Sequence, residues 1–181
     1  IYVRVGQEYH PLGTWNADCT QAHTELFSRI AGDLPGLFSW IEARFNAKLY
    51  EDPFSPFCLI ASNNAEADEI MKFLESYCAT IPDLTVVRND IYARFSHVRY
   101  HKGIVVSEVA RHLGIPREAI LAAGDHLNDL PMLDGVHAGM VCAPGNAIPQ
   151  VRELMTKVGG FQSEKPWGHG VHEAIEHFLK A

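Results

Sequence analysis

The chain has 181 residues, a mass of 20.2 kDa and 47% hydrophobic residues, which suits one ordinary globular domain or two small ones. Its formal net charge of −7 argues against a general binder of nucleic acid or of anionic membranes. No apolar stretch approaches the ~20 residues that span a bilayer, and no signal peptide is visible. The four cysteines are widely spaced without a C-x-x-C pair, so we expect buried thiols in a reducing compartment, which favours a cytoplasmic location.

The first half of the chain is patterned as a compact α/β layer. Alternating residues predict one half-exposed strand over 1–9, and a helix follows over 14–30. Residues 33–36 are predicted to form a break between this helix and a second one over 37–45. The other elements predicted here are a strand over 57–61, a helix capped by Ser62-Asn63-Asn64, and two strands over 84–87 and 92–98. We place the end of this layer at residue 97.

The second half alternates strands with helices. A helix is predicted to follow Lys102 and to end at Gly114-Ile115-Pro116, and another to begin at Pro149. Strands are predicted over 119–123 and 138–143. The last helix carries an apolar stripe at helical spacing, formed by Val171, Ala174, Ile175, Phe178 and Leu179. Strands that alternate with helices in this way indicate βαβ units, so the predicted fold class is α/β with a parallel sheet.

An acidic turn follows the strand predicted over 119–123. It contains Asp125, Asn128 and Asp129, and a short helix is predicted over 127–133 with Pro131 tolerated in its first turn. Open α/β sheets bind their ligands at the carboxyl ends of parallel strands. Oxygen ligands without a nearby cysteine favour a hard cation such as Mg²⁺. The alternative is a helix cap rich in Asp and Asn that binds nothing.

Lys102 adds a positive charge to this pattern, at the start of the helix that precedes the strand. An ammonium group can pair with a phosphoryl oxygen while carboxylates hold Mg²⁺, and both neutralise charge in a phosphoryl-transfer transition state. Asn128 can donate a hydrogen bond there without adding negative charge. The combination favours a phosphate site over a helix cap.

Four segments together resemble motifs III and IV of the haloacid dehalogenase superfamily, in its Cof-type and sucrose-phosphatase-like branch with a type IIB cap. They are Lys102-Gly103, Gly124-Asp125 through Met132-Leu133, Pro144-Gly145-Asn146-Ala147, and Gly168 through Ile175. The resemblance implies a Rossmannoid parallel core with an α/β cap. Residues 1–97 would be the cap that sets substrate specificity, and 98–181 the carboxyl-terminal part of the core.

The resemblance also implies an activity and a role for individual side chains. The activity would be a Mg²⁺-dependent phosphatase of small phosphorylated metabolites, such as sugar phosphates. Lys102 would be catalytic and would hold the phosphoryl group, while Asn128 would contact the phosphate. Asp125 would bind Mg²⁺, and Asp129 would support the metal site or orient Lys102. His126 stands where the family commonly has glycine or serine, which leaves its effect on the metal open.

The nucleophile of the family has no counterpart in these 181 residues. Members attack phosphorus with the first aspartate of an Asp-x-Asp pair, and no two aspartates here stand two positions apart. We therefore expect a segment of on the order of 60 to 80 residues, with that motif, to precede Ile1. We expect the 181 residues alone to be inactive, to bind Mg²⁺ weakly, and to self-associate or pair with that segment through open strand edges.

The alternative hypothesis is a non-catalytic module, or a subunit of a split protein, that keeps the fold and binds a partner or ligand. A dinucleotide-binding domain is less supported, because no G-x-G-x-x-G follows a strand. Neither a nucleic acid nor a membrane is an expected partner. Trp15, Trp40 and Phe54 fall in the cap, where they could face a sugar, although core packing is the ordinary explanation for such residues. The segment 164–167 is assigned no role.

Overall fold

The computed structural model describes residues 1–180, which divide into two compact units, residues 1–100 and the residues from 101 onward. Both units combine helices with a sheet, so the predicted α/β class is confirmed. Within residues 1–180, no helix combines the length and the apolar character needed to cross a membrane.

The first unit opens with an antiparallel hairpin of β1 (Tyr2–Val5) and β2 (Glu8–Pro11). The prediction of one strand over 1–9 is therefore wrong. Gly6 adopts a left-handed φ of +64° and reverses the chain in a two-residue turn. Such a turn needs a positive φ, which glycine adopts without a steric penalty.

Three helices cover the sheet of the first unit: α1 (Trp15–Ile30), α2 (Leu34–Glu42) and α3 (Asn64–Cys78). The first and third confirm the predictions, and Asn63 caps α3 by accepting the Glu66 N–H at 2.9 Å. The second begins earlier than predicted. Pro35 occupies its first turn, where a residue without an N–H loses no helical hydrogen bond.

The sheet of the first unit is antiparallel, in the order β3-β4-β6-β5. Its strands are β3 (Lys48–Asp52), β4 (Ser55–Ile60), β5 (Leu84–Asn89) and β6 (Tyr92–His97). The predicted strand pair before the unit boundary is confirmed, whereas β3, a mostly exposed edge strand, was not predicted. Phe57 stacks on Phe95 at 4.4 Å within the core, and Trp40 stacks on Phe73 at 3.8 Å. Trp40 is thus a packing residue.

The second unit has a parallel sheet of β7 (Leu121–Ala123), β8 (Met140–Ala143) and β9 (Phe161–Gln162), in that order. Its helices are α4 (Lys102–Leu113), α5 (Leu130–Leu133), α6 (Pro149–Val158) and α7 (Trp167–Leu179). The parallel arrangement and the left-handed C-cap at Gly114, with φ +66°, were both predicted. The two-residue strand β9 was not.

The predicted apolar stripe of α7 is only partly buried. Ala174 is fully buried, whereas Ile175 is 39% exposed and Leu179 is 82% exposed. The packed face contains Gly170, where a Cβ would collide with Pro144. Small residues therefore let α7 approach the sheet closely. Of the large apolar residues at its end, Phe178 contacts Phe161 of β9, whereas Ile175 and Leu179 lie largely outside the contact.

Candidate functional site

The acidic turn lies at the carboxyl end of β7 and is folded back on itself. Residues 127–129 form a 3₁₀ turn that leads into α5, in place of the single helix predicted over 127–133. A Cβ built on Gly124 would lie 2.5 Å from the Asp129 Cβ and 2.9 Å from its Oδ2. Only glycine therefore allows the Asp129 carboxylate to occupy this position beneath the turn.

Asp129 is the centre of a network of hydrogen bonds. Its residue is 5% exposed, and its Oδ2 accepts the backbone N–H groups of Asp125 at 3.0 Å and His126 at 3.2 Å. Its Oδ1 accepts a hydrogen bond from the Lys102 Nζ at 2.5 Å. Hydrogen bonds between charged groups are the strong ones, so this pair fixes the ammonium beside the acidic turn.

Lys102 is held in place by the start of α4. His101 is the N-cap, and its Nδ1 accepts the Ile104 N–H at 3.4 Å. Gly103 packs so closely against the Pro131 backbone and the His137 ring that no Cβ would fit. Burial lowers the pKa of His101, with a smaller contribution from His137. The Lys102 side chain is 49% exposed, and an ammonium has three donors, so it can bind a ligand while it keeps Asp129.

Asp125 is oriented by the turn that follows the neighbouring strand. Its Oδ2 accepts a hydrogen bond from the Asn146 Nδ2 at 2.8 Å, and its carbonyl oxygen accepts the Ile148 N–H at 3.0 Å. The predicted residues Lys102, Asp125 and Asp129 are thus joined by direct hydrogen bonds. Asn128 lies in the same 3₁₀ turn, partly exposed, and its amide engages no other residue within 1–180. The role assigned to each stays a prediction.

Asn146 and Trp167 were not named among the predicted site residues. The Asn146 Oδ1 accepts the Trp167 N–H at 2.5 Å, so one amide connects Asp125 to the start of α7. The Gly145 N–H also donates to the Lys165 carbonyl at 2.7 Å. A polar residue after the strand next to the acidic turn was the available signal for Asn146, because carboxyl ends of adjacent parallel strands share one edge.

The carboxylates of the acidic turn do not by themselves make a metal cluster. Within residues 1–180, no three His, Cys, Asp or Glu side chains are placed to hold a metal ion together. Mg²⁺ is usually held by one or two carboxylates together with several waters. Both oxygens of Asp129 are engaged, which leaves Asp125 as the carboxylate best placed to bind a cation. The role of Asp125 as a metal ligand stays a prediction.

The first unit contains a cavity of about 560 Å³. Trp15 and Phe54 both line it, and Phe54 is 71% exposed. Trp15 packs edge to face on Tyr100 at 5.4 Å, while Arg94 and Asp52 place charged groups on the same wall, 3.8 Å apart. Aromatic faces beside a few polar groups are typical of sites for small molecules. Of the three aromatic residues considered from the sequence, these two line this cavity, whereas Trp40 stacks on Phe73.

A family model for haloacid dehalogenase-like hydrolases matches residues 39–175. That range includes Lys102, the acidic turn and Asn146. The resemblance stated from the motifs is thereby confirmed.

Individual relatives are similar in sequence, and a solved structure is similar in fold. The chain is 26% identical over 144 residues to the phosphoglycolate phosphatase of Methanothrix thermoacetophila, covering 80% of this chain and 61% of that protein. It is 34% identical over 98 residues to the putative phosphatase YxeH of Bacillus subtilis, covering 54% of this chain and 34% of that protein. The sucrose-phosphatase of a Synechocystis species, solved with sucrose and phosphate, superposes with a TM-score of 0.66 at 19% identity, covering 98% of this chain and 70% of that one. This chain therefore spans only part of the curated relatives it matches.

Proposed function

Because the chain belongs to the haloacid dehalogenase-like hydrolase family, we propose that it carries part of the active site of a phosphatase for small phosphorylated metabolites, such as sugar phosphates. One observation carries the proposal. The Lys102 ammonium is paired with a buried carboxylate at the carboxyl end of β7, beside the hydrogen-bonded carboxylate of Asp125. This arrangement places one fixed cation and one available anion at the edge where such sheets bind ligands.

Lys102 would bind the phosphoryl oxygens of the substrate. One of its three donors is taken by Asp129, and the others can reach a ligand because the side chain is half exposed. A positive charge that is already oriented stabilises the charge of a phosphoryl-transfer transition state without reorganisation. Asp129 would act through Lys102 as a positioning residue, and Asn128 would donate its amide N–H to a phosphate oxygen.

Dependence on Mg²⁺ is part of the proposal. Asp125 would supply one oxygen ligand, with Asn146 keeping the carboxylate in its orientation. A bound Mg²⁺ supplies positive charge next to the phosphoryl oxygens. For Asp129 to be a second ligand, as the motif implies, its carboxylate would have to share an oxygen with the Lys102 ammonium. The proposal therefore rests on Asp125 for the metal and on Lys102 for the phosphate.

The substrate class and the setting are supported by separate features. Both relatives are named as phosphatases, but only one name includes a substrate, phosphoglycolate, which supports the reaction more than any one substrate. The aromatic residues of the first-unit cavity support a small ring compound as a ligand of that unit. All four cysteines are free thiols, which supports a reducing, cytoplasmic setting.

A second candidate is a non-catalytic binding module or the subunit of a split protein. It is favoured by one observation, the absence of any Asp-x-Asp pair from the 181 residues. The gene region that precedes the codon of Ile1 discriminates between the two candidates. A strand followed by Asp-x-Asp in the same reading frame supports the phosphatase, whereas a start codon at this position supports the module.

The binding half of the proposal is tested by titrating residues 1–181 with inorganic phosphate, followed through the amide resonances of the acidic turn. Lys102→Ala should weaken phosphate binding by about tenfold or more, because a hydrogen bond to a charged group contributes about 1.5–3 kcal/mol. Lys157→Ala, which removes an exposed lysine of the same unit, should leave the affinity unchanged. Mg²⁺ should tighten binding, and Asp125→Asn should abolish that increase. Phosphate binding that is indifferent to Lys102 would refute the proposed site.

A further inference from the structure

Trp167 is an exposed aromatic residue with an unusual backbone conformation. It is the first residue of α7, and 69% of it is exposed. Its φ of +50° lies in the left-handed region, where a bulky residue is rare. Non-glycine residues keep such conformations only where the surrounding structure imposes them, and they are concentrated at functional sites.

The conformation is imposed by the acidic turn and its neighbours. The Trp167 N–H donates to the Asn146 Oδ1 at 2.5 Å, and the Nδ2 of the same amide donates to the Asp125 Oδ2 at 2.8 Å. Two glycines flank this link: a Cβ on Gly145 would collide with the Glu164 carbonyl, and a Cβ on Gly170 would collide with the Lys165 carbonyl and with Pro144. The segment before α7 is therefore clamped to the turn after β8, and Trp167 is tied to Asp125 through one side chain.

The indole ring is not used for packing. Within residues 1–180 it takes part in no aromatic pair and belongs to neither hydrophobic core. An exposed tryptophan on a held backbone is an effective contact surface, because it presents a large area and only two side-chain torsions are ordered on binding. An exposed ring whose backbone is linked through Asn146 to Asp125 can thus contact the part of a substrate that is not phosphate.

We infer that Trp167 forms the wall against which the ring of a cyclic phosphate monoester stacks, while Lys102 holds the phosphoryl group. This inference rests on the proposed function and deepens it, because it limits the substrates to phosphate esters of ring compounds such as cyclic sugars. The C–H face of a pyranose ring covers the indole face, whereas an open-chain ester of the same charge does not. The site should therefore prefer the cyclic ester by about tenfold, the size of effect expected from one aromatic contact.

The test compares the affinities of residues 1–181 for glucose 6-phosphate, glycerol 3-phosphate and inorganic phosphate, with the indole N–H resonances of the three tryptophans as reporters. Glucose 6-phosphate should bind about tenfold more tightly than glycerol 3-phosphate and should shift the Trp167 resonance. Trp167→Ala should bring the ratio of the two affinities close to one, and Trp167→Phe should keep most of it. Leu179→Ala, which removes an exposed apolar side chain from the same helix, should leave the ratio as it is.

Trp167→Gly is the second variant, because glycine adopts a φ of +50° without strain and removes the ring while it keeps the backbone conformation. An equal ratio in the parent chain and in Trp167→Gly would overturn the inference, as would a ratio near one in the parent chain. If inorganic phosphate itself does not bind, or binds independently of Lys102, the proposed phosphate site fails and this inference fails with it. Phosphate binding that depends on Lys102, without a ring preference that depends on Trp167, would overturn this inference alone.

Discussion

The Lys102 Nζ and the Asp129 Oδ1 lie 2.5 Å apart and join the first residue of α4 to the last residue of the 3₁₀ turn after β7. The pair is asymmetric, because the Asp129 side chain is 8% exposed and the Lys102 side chain is 49% exposed. Removing the lysine leaves a buried carboxylate with only backbone donors, whereas removing the carboxylate leaves an ammonium that water can solvate. Substitution of Lys102 and substitution of Asp129 should therefore affect the stability differently.

Asp129→Asn should destabilise the protein by about 1–3 kcal/mol. The neutral amide no longer attracts the Lys102 ammonium, and its NH₂ group would face either that ammonium or the backbone N–H groups of Asp125 and His126, which are all donors. The free energy of unfolding in urea measures this change. Glu153→Gln, at an exposed position of the same unit, should change it by less than about 0.5 kcal/mol. Equal stabilities for Asp129→Asn and the parent chain would show that the pair contributes nothing to folding.

Gly124→Ala should destabilise the protein by about 1–3 kcal/mol, the usual effect of overpacking, because the added Cβ would overlap the Asp129 side chain. The amide resonances of Asp125 and His126 should shift as the carboxylate moves away from them. Gly168→Ala is the matched control, since a Cβ there meets no atom within 4 Å and should stabilise α7 by about 0.5–1 kcal/mol. An unchanged stability in Gly124→Ala would mean that the turn can move to accept the added Cβ at no cost in free energy.

Trp167→Gly should raise the free energy of unfolding by about 1 kcal/mol, because it relieves a left-handed backbone and removes a side chain that is mostly exposed. Thermal unfolding provides the measurement. Asp83→Gly, at φ +70°, should give a smaller gain, since aspartate tolerates this region better than tryptophan does. A loss of stability in Trp167→Gly would show that the indole packs in the folded protein.

Stability should fall on acidification through two histidines, the buried His97 and the partly buried His101. Burial lowers the pKa values of His97 and His101 below their ordinary value of 6.5. As the pH falls below 6.5, the unfolded chain takes up protons that the folded chain does not, so the free energy of unfolding decreases until the folded pKa values are passed. The contribution is fully present above pH 6.5.

His101→Asn isolates one of the two histidines. Asparagine is a good N-cap for α4 and does not titrate, so it should reduce the loss of stability between about pH 7.5 and about pH 5.5. Urea unfolding at both pH values measures the difference. His112→Asn, at an exposed position near the end of α4, should leave the pH dependence unchanged. An unaltered pH dependence in His101→Asn would contradict the assignment.

Residues 1–181 should self-associate through β7, which pairs with β8 on one side and with no strand of residues 1–180 on the other. Open strand edges are templates for pairing with another chain. Leu121→Pro should reduce the dimer fraction in light scattering, because proline at the first position of the strand removes an N–H from the open edge. Leu121→Ala serves as the control for lost packing. A monomer at all concentrations would contradict this expectation.

The sequence predicted the elements in which one local pattern dominates. The helical spacing of α1 and α3, the glycine C-cap of α4 and the strand-helix alternation around β7 and β8 all reflect interactions between near neighbours. Strand β3 escaped prediction because it is a charged edge strand, ordered by pairing with β4 more than by its own side chains. The α7 stripe was overestimated because periodicity says which residues share a face but not how far that face is covered.

In the candidate site, too, local patterns could be predicted and contacts between distant segments could not. Lys102, Asp125 and Asp129 could be proposed from short motifs, since the spacing of polar residues around one strand is local information. The link from Asp125 through Asn146 to Trp167 could not, because it joins three segments that only the folded sheet brings together. The left-handed backbone of Trp167 could not be predicted either, because tryptophan is not a residue type that favours a positive φ.

The Asn146 side chain gives the site a direction. Its oxygen faces the Trp167 N–H and its nitrogen faces the Asp125 carboxylate, so the chemistry of the two partners fixes which end is which. Aspartate in this position would set two carboxylates against each other, leucine would leave both partners without a bond, and serine would be too short to reach both. The connection between the acidic turn and α7 therefore has a polarity that a single side chain of this length and composition can provide, and a reversal of the amide would break both bonds at once.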